Sequence, residues 1–246
     1  MVAPNGARRG KADHPALPVS IAETVETARL CHMAGADALH LHVRDAMGGH
    51  SLDAGLYREA LAEMALRVPG MPVQITTEAV GIYDVAAQLQ CLTAVRPGWA
   101  SIAVRETARD CALAPRLYAA CADQGTRVQH IVYDPADLAL LLDWQGQGIV
   151  PPGQGDILVV LGRYSDGQVS SPADLLPFLT ALPPAADWMV CAFGPAEHAC
   201  LAAAVAHGAS ARVGFENSMT NAAGQAHADN AASVAHLRRL LEGSLA

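Results

Sequence analysis

Short apolar runs alternate with longer segments of mixed polarity along most of this chain. The short runs are rich in Val, Ile, Leu and Ala, which is typical of strands covered on both faces of a parallel sheet. We predict seven such strands, at residues 38–44, 72–77, 99–104, 126–132, 156–161, 187–192 and 210–213. The longer segments predict eight helices, at residues 20–33, 53–66, 85–95, 107–121, 135–142, 172–182, 195–207 and 226–241.

Several predicted helices carry recognisable boundary residues. Ser20 and Glu23 have the spacing of a capping box at the start of the first helix. Gly35, Gly125 and Gly208 follow three of the helices, where a residue that readily adopts positive φ ends a helix most easily. These signals support the helix boundaries independently of the apolar pattern.

The order of the predicted elements indicates the fold class. A strand followed by a helix, repeated eight times in about this length, is the pattern of a (β/α)8 TIM barrel. The count requires one further strand before the first helix, and only residues 1–4 are available for it. We predict a single barrel domain over residues 1–246, with active-site residues on the loops after the strands. A doubly wound open sheet is the alternative, although no Gly-x-Gly-x-x-Gly follows an early strand.

Composition and charge narrow the function classes. The chain is 52% hydrophobic, 16% charged and 4% aromatic, which favours a compact enzyme with small aliphatic residues filling its core. The formal net charge is −8, and the 16 Lys and Arg residues are scattered. Because binding to phosphate backbones requires clustered cations, we expect no nucleic-acid partner.

The cysteines and the N-terminus suggest a compartment. Six cysteines form no Cys-x-x-Cys pair, so free thiols in a reducing cytoplasm are the simpler interpretation. The first ten residues lack the apolar core of a signal peptide, and no apolar run approaches the ~18 residues of a membrane span. We therefore expect a soluble cytoplasmic protein that neither spans nor enters a membrane.

The stretch from Asp37 to Asp45 is the first candidate for chemistry. Side chains alternate faces along a strand, so His40, His42 and Arg44 would share one face. Two imidazoles would then point together near the C-terminal end of a barrel strand, where catalytic residues of such barrels lie. By spacing alone, a pair of half-buried histidines with ordinary hydrogen-bond partners is the more common explanation.

The last predicted strand offers a third ligand. If residues 210–213 form the eighth strand, Arg212 points into the barrel and Glu216 lies on the loop beyond it. A closed barrel brings the first and last strands together, so this loop would approach the two imidazoles. Two histidines and one carboxylate with an open coordination position are the ligand set of a catalytic zinc site. Taken alone, a glutamate at position 216 is more often a surface carboxylate than a ligand.

Five short motifs follow one another along the chain: Asn5-Gly-Ala7, His14-Pro-Ala-Leu-Pro18, Ala34-Gly-Ala36, His40-Leu-His-Val-Arg-Asp45 and Arg212-Val-Gly-Phe-Glu216. Together they closely resemble one enzyme family, the β-keto acid cleavage enzymes, whose first characterised activity acts on 3-keto-5-aminohexanoate. The resemblance covers nearly the whole chain in family-like order and spacing.

The resemblance implies a TIM barrel that holds one Zn²⁺ through His40, His42 and Glu216. In that family a β-keto acid binds the metal, a base removes a proton, and the enolate attacks acetyl-CoA. A retro-Claisen step by the CoA thiolate then releases acetoacetate and a new acyl-CoA. The resemblance further implies that Arg212 orients the base or the carboxylate, and that the protein is a homo-oligomer, often a tetramer. From ligand type alone, Co²⁺, Mn²⁺ or Ni²⁺ would also suit these ligands.

The catalytic base departs from the family pattern. Family members usually place an Asp immediately after the metal-binding Glu, whereas this chain has Asn217 at that catalytic position. An amide cannot accept a proton at neutral pH. Either Asp45, Glu78 or His130 serves as the base, or the step differs, or activity is weak.

The expected substrate-binding residues also differ in charge. The position after Gly-Ala is acidic in members that accept an aminated keto acid, but here it is Arg8, which should favour an anionic substrate. Gln129 stands where a Glu is common. Thr76 and Ser101 match family hydroxyl positions that hold the substrate carboxylate, although both residue types are ordinary in strands.

We predict a zinc-dependent acyltransferase that condenses a β-keto acid with acetyl-CoA and does not prefer an aminated substrate. Two alternatives stay open: a metal-dependent hydrolase or aldolase that acts on a carbonyl without CoA, and a ligand-binding barrel that has lost its base. The other helical histidines are interpreted as surface or core-edge residues: His32, His198, His207 and His236.

Overall fold

The computed structural model describes residues 1–243. Seven strands form a parallel sheet in chain order, and the two remaining short strands pair with each other as an antiparallel hairpin. The parallel strands are β1 (Leu39–Leu41), β4 (Val73–Thr76), β5 (Trp99–Ala103), β6 (Arg127–Val132), β7 (Asp156–Leu161), β8 (Trp188–Ala192) and β9 (Ser210–Ala211). The hairpin strands are β2 (Val43–Arg44) and β3 (His50–Ser51).

The first residues of the chain join the two edges of this sheet. Val2 forms a parallel bridge to Leu39 on one side and to Val213 on the other. Its N–H donates to the carbonyl of Ala38 at 2.8 Å, and the N–H of Ala3 donates to the carbonyl of Val213 at 2.8 Å. The first strand of the barrel, predicted at residues 1–4, is thus reduced to a short bridging segment, and the predicted (β/α)8 class is confirmed.

Helices follow most strands and cover the sheet with aliphatic side chains. Their bounds are α1 (Ile21–Met33), α2 (Ala54–Arg67), α3 (Val85–Val95), α4 (Val104–Thr107), α5 (Ala114–Asp123), α6 (Pro135–Gly146), α7 (Leu176–Leu179), α8 (Glu197–Ala206) and α9 (Asn230–Gly243). Two short 3₁₀ helices span Asp166–Gln168 and Pro172–Leu175.

The residues predicted to begin and end the helices adopt the expected capping contacts and backbone angles. The N–H of Glu23 donates to the Ser20 hydroxyl, and the N–H of Ser20 donates to the Glu23 carboxylate, which completes the capping box of α1. Gly35, Gly125 and Gly208 have φ values of 100°, 71° and 88° after α1, α5 and α8. Local chemistry therefore sets these helix ends.

Several predicted elements are wrong in extent. The helices predicted at 135–142 and 226–241 lie at Pro135–Gly146 and Asn230–Gly243. The helix predicted at 107–121 is divided into α4 and α5, because the Asp110 carboxylate binds the N–H groups of Ala112 and Leu113 and holds a turn there. The helix predicted at 172–182 begins as a 3₁₀ turn and ends at Leu179. The strand predicted at 38–44 breaks at His42, after which β2 leaves the sheet to pair with β3.

Two expectations about the whole chain can be compared with the structure. All six cysteines have free thiols, as predicted. Within residues 1–243, no helix has both the length and the apolar character needed to cross a bilayer.

Candidate active site

Two imidazoles and a carboxylate converge where β1 ends. The Nε2 atoms of His40 and His42 lie 3.1 Å apart, and each lies 3.6 Å from Oε2 of Glu216. A tetrahedral ion with bonds of ~2.0–2.1 Å holds its ligand atoms about 3.3 Å apart. The three atoms therefore already have nearly the spacing that a divalent ion requires.

Two further observations support an ion at this point. Oε2 of Glu216 is buried and accepts no hydrogen bond from the described part of the chain, which is costly for a carboxylate oxygen unless a cation satisfies it. The three ligands line an inner cavity of about 20 Å³, which suits one ion or one water molecule. The residues present thus fit a metal.

Two glycines allow the ends of the chain to pack closely around this site. Gly6 has a φ of 59°, and a Cβ there would lie 2.6 Å from Cγ of Glu216. Gly214 has a φ of 143°, and a Cβ there would lie 2.4 Å from the carbonyl oxygen of Ala3. The Arg44 guanidinium donates to backbone carbonyls of this first segment, including Asn5 at 3.2 Å. The glycines of the two end motifs therefore make room for Glu216.

The protonation states suit metal binding. Burial, followed by the charge of Arg212, lowers the pKa of His40 to about 4. Burial also lowers the pKa of His42 well below its usual value. Burial, the largest single influence, would raise the pKa of Glu216, but the nearby charges together lower it; the strongest of these is Arg212, whose Nη2 lies 3.2 Å from Oε1. At neutral pH the site thus presents two neutral imidazoles and a carboxylate.

A buried amide fixes the tautomer of one ligand. Nδ1 of His40 lies 2.7 Å from Oε1 of Gln74, and the Gln74 amide donates to Oε1 of Gln129 at 3.0 Å. Because Nδ1–H donates to Gln74, the lone pair on Nε2 of His40 faces the metal position. The structure does not bring Gln129 into the inner cavity, although the sequence predicts that it binds substrate.

Replacing Gln74 by leucine should weaken metal binding about 10–100-fold, because an unheld imidazole loses its tautomer and orientation. Metal affinity measured by competition with a chromophoric chelator tests this. Gln154→Leu, which alters a buried glutamine outside the site, should leave the affinity unchanged. Equal affinities for the Gln74 variant and the wild type would contradict this role.

The remaining predicted residues divide into two groups. Arg212 and Thr76 line the inner cavity, and Arg8 lines an adjoining outer cavity of about 40 Å³. Ser101 and Asn217 are fully buried and line neither cavity. The Ser101 hydroxyl lies 3.5 Å from the carbonyl of Ile75.

The three candidate bases have different surroundings. Asp45 is exposed, and its carboxylate binds the N–H groups of Met47 and Gly49 in a turn. His130 packs against Tyr118 among the helices, 5.3 Å between ring centroids, and burial lowers its pKa to about 4. Glu78 alone of the three lines both cavities.

The environment of Glu78 suits proton transfer. Burial, followed by the charge of Glu216, raises the pKa of Glu78 to about 7, while Arg163 opposes this shift. Its N–H donates to the hydroxyl of Thr76 at 3.1 Å, which holds the backbone at the end of β4. A carboxyl group with a pKa near the working pH can both accept and return a proton.

Arg163, Gln74 and His50 belong to the site but are not among the sequence-predicted residues. Arg163 follows β7 by two residues and lines both cavities, 3.9 Å from the carboxylate of Glu78. Nδ1 of His50 lies 3.5 Å from Nδ1 of His42. Position just after a barrel strand was a usable signal for Arg163, and a polar residue inside the apolar strand β4 was one for Gln74.

This chain is similar to known proteins in sequence and in fold. A family model described as "beta-keto acid cleavage enzyme" matches residues 1–244. A 3-keto-5-aminohexanoate cleavage enzyme from Fusobacterium nucleatum is 26% identical over 228 residues, which cover 87% of this chain and 80% of that protein. A 3-oxoadipate:acetyl-CoA acetyltransferase from Cupriavidus necator is 30% identical over 102 residues, 42% of this chain and 35% of that protein.

Solved structures share the fold at low sequence identity. ObcA bound to oxaloacetate has a TM-score of 0.70 at 15% identity, and the alignment covers 94% of this chain and 65% of ObcA. The apo structure of ObcA has a TM-score of 0.73, with 63% of that chain covered. This chain thus spans less than two thirds of the length of ObcA, and the likeness concerns the barrel alone.

Proposed function

The chain belongs to the β-keto acid cleavage enzyme family, and from that premise we propose that it transfers an acyl group between a β-keto acid and acetyl-CoA at a metal held by His40, His42 and Glu216. The observation that carries the proposal is the meeting of these three ligands with Glu78 in one buried cavity at the C-terminal end of the barrel. Zinc is the proposed ion because two imidazoles and a carboxylate are a common catalytic ligand set for it. When bound, such an ion withdraws charge from the oxygens of the keto acid and makes the adjacent carbon more acidic.

Glu78 is the proposed base in place of the missing aspartate. Its carboxylate takes a proton from the carbon between the keto and carboxylate groups of the substrate. The carbanion attacks the thioester carbonyl of acetyl-CoA and expels the CoA thiolate. That thiolate attacks the original keto carbonyl, the carbon–carbon bond breaks, and Glu78 returns the proton to the departing acetoacetate.

The arginines around the outer cavity favour a substrate with more than one carboxylate. Arg8, Arg9 and Arg163 line this cavity together with Glu78 and Glu216. Three guanidinium groups suit carboxylates, since each can donate two parallel hydrogen bonds to one carboxylate. A β-keto acid with a second carboxylate, such as the 3-oxoadipate named for the relative from Cupriavidus necator, satisfies this arrangement better than an aminated one.

We therefore expect acetoacetate formation from acetyl-CoA to be fastest with 3-oxoadipate, slower with a neutral β-keto acid and slowest with 3-keto-5-aminohexanoate. Arg8→Glu should lower kcat/KM for 3-oxoadipate at least about tenfold, because a carboxylate would repel the substrate. Lys11→Glu reverses a neighbouring charge that pairs with Glu23 outside the cavity, and it should leave the preference unchanged.

The same set of keto acids, assayed with and without acetyl-CoA, distinguishes the acyltransferase from the two alternative functions. Turnover of a carbonyl substrate without CoA would favour the hydrolase or aldolase, and binding without turnover would favour a barrel that has lost its chemistry. A preference for the aminated keto acid would contradict the role given to Arg8. The single-domain organisation and the cytoplasmic location are expected from the sequence, and the homo-oligomeric state from the family resemblance; all three stay predictions.

A further inference from the structure

Three histidines outside the active site converge between α8 and α9. His198 is on α8, His227 is on the loop before α9, and His236 is on α9. The ring centroid of His198 lies 5.1 Å from that of His227 and 4.7 Å from that of His236. One ring nitrogen of each histidine lies within 4.8 Å of those of the other two.

Two of these rings are largely buried, and one has an unsatisfied atom. His198 and His227 each expose only 8% of their surface. Nε2 of His227 is buried and has no hydrogen-bond partner within residues 1–243. Proteins rarely leave such an atom unsatisfied, so a water molecule or an ion is expected to contact it. Nε2 of His198 lies 3.0 Å from the hydroxyl of Ser233, which holds that ring in place.

The charge state of the cluster favours a cation. Burial, followed by the charge of His236, lowers the pKa of His198 to about 4, and burial also lowers the pKa of His227. Both rings are therefore neutral at pH 7 and have lone pairs to offer. The cluster faces an open cavity of about 570 Å³ lined in part by His227, His236 and Arg239. A metal ion could enter from this side, and a water molecule or small anion could complete its coordination.

We propose that His198, His227 and His236 form a second metal site, for a borderline divalent ion such as Zn²⁺ or Ni²⁺. Three imidazoles with one open position are an established ligand set for these ions. Bonds of ~2.0–2.1 Å need ring nitrogens about 3.3 Å apart, so the rings must close by at most about 1.5 Å from the present limit of 4.8 Å.

The position of this site indicates a structural role. An ion there ties α8 to α9 and to the loop that follows Glu216. Asn230, the first residue of α9, accepts from the N–H of Phe215 at 2.9 Å and donates to the carbonyl of Pro4 at 3.1 Å. The second site thus braces the same segment that presents Glu216 to the active site, while its ligands touch neither cavity of that site.

The test uses the full chain carrying His42→Ala, so that the first site cannot contribute. After removal of metal with a chelator, the protein is titrated with Zn²⁺ alone, and bound zinc is measured by elemental analysis after gel filtration. We expect one ion per chain and a rise in Tm of about 5–10 °C at a free Zn²⁺ concentration of about 100 Kd. Co²⁺ in place of Zn²⁺ should give the visible absorption bands of a tetrahedral site.

Adding His236→Gln should abolish the bound ion, the Tm increase and the cobalt bands. The matched control is His207→Gln, which changes an exposed histidine at the end of α8 and should preserve all three. Zinc binding that survives His236→Gln, or no zinc binding by the His42→Ala protein, would overturn the proposal. Circular dichroism of each variant without metal establishes that the fold is retained, so a loss of binding is not a loss of structure.

Discussion

His42→Ala is expected to lower acetoacetate formation at least about 10³-fold and to remove one metal ion per chain. A metal that stabilises developing charge supplies several kcal/mol, and each 1.36 kcal/mol is a factor of ten in rate. Without this imidazole, only His40 and Glu216 remain to hold the ion. Zinc content by elemental analysis and kcat/KM measured on the same preparation test the prediction.

The control for His42→Ala is His130→Gln. His130 is also a fully buried histidine, but it contacts Tyr118 and Gln154 away from the cavities. This variant should keep both the ion and the activity of the wild type if it folds, which a thermal melt establishes. An active His42→Ala protein with an unchanged zinc content would be incompatible with the proposed ligands.

Glu78→Gln should slow proton removal from the keto acid about 10²–10⁴-fold, the usual contribution of a general base. Exchange of the substrate α-protons in D₂O, followed by NMR without acetyl-CoA and corrected for uncatalysed exchange, isolates this step. Because the glutamine amide keeps the shape of the side chain, binding of the keto acid and of the metal should change little. A loss of exchange with retained binding therefore identifies a base.

The pH dependence follows from the raised pKa of Glu78. A base must be ionised to accept a proton, and burial raises the pKa of this carboxyl to about 7. The rate at which the wild type exchanges the substrate α-protons should therefore rise with pH through about 7 and level off above it. His40 has a pKa of about 4 and stays neutral throughout this range. Asp45→Asn, which changes an exposed turn carboxylate, should preserve both rate and profile, whereas full exchange by Glu78→Gln would rule out this base.

The convergence of the three residues proposed as metal ligands could be predicted from the sequence because strand periodicity and barrel closure are simple rules. The two-residue spacing of His40 and His42 placed both imidazoles on one face, and the predicted eighth strand brought Glu216 beside them. The strand predicted at 38–44 was nevertheless too long. Its last residues belong to the hairpin of β2 and β3, whose pairing depends on tertiary contacts that the sequence pattern does not show. Only residues 1–4 were available for the first strand. This length is sufficient because a single residue, Val2, bridges both neighbouring strands.

The remaining features depend on contacts between residues far apart in the chain. Sequence reasoning named Glu78 as one of three possible bases, but only burial beside Glu216 and Arg163 distinguishes it from Asp45 and His130. No spacing rule relates His198, His227 and His236, which belong to two helices and a loop. The interpretation of His198 as a surface or core-edge residue was incomplete, since its ring contacts the rings of His227 and His236.

The most direct test is a crystal structure of the purified protein with X-ray data collected on both sides of the zinc absorption edge. An anomalous difference peak is expected about 2.0–2.2 Å from Nε2 of His40, Nε2 of His42 and Oε2 of Glu216. The absence of any anomalous scatterer between these three atoms, in crystals of protein that retains full activity after exhaustive chelation, would contradict the metal-dependent mechanism.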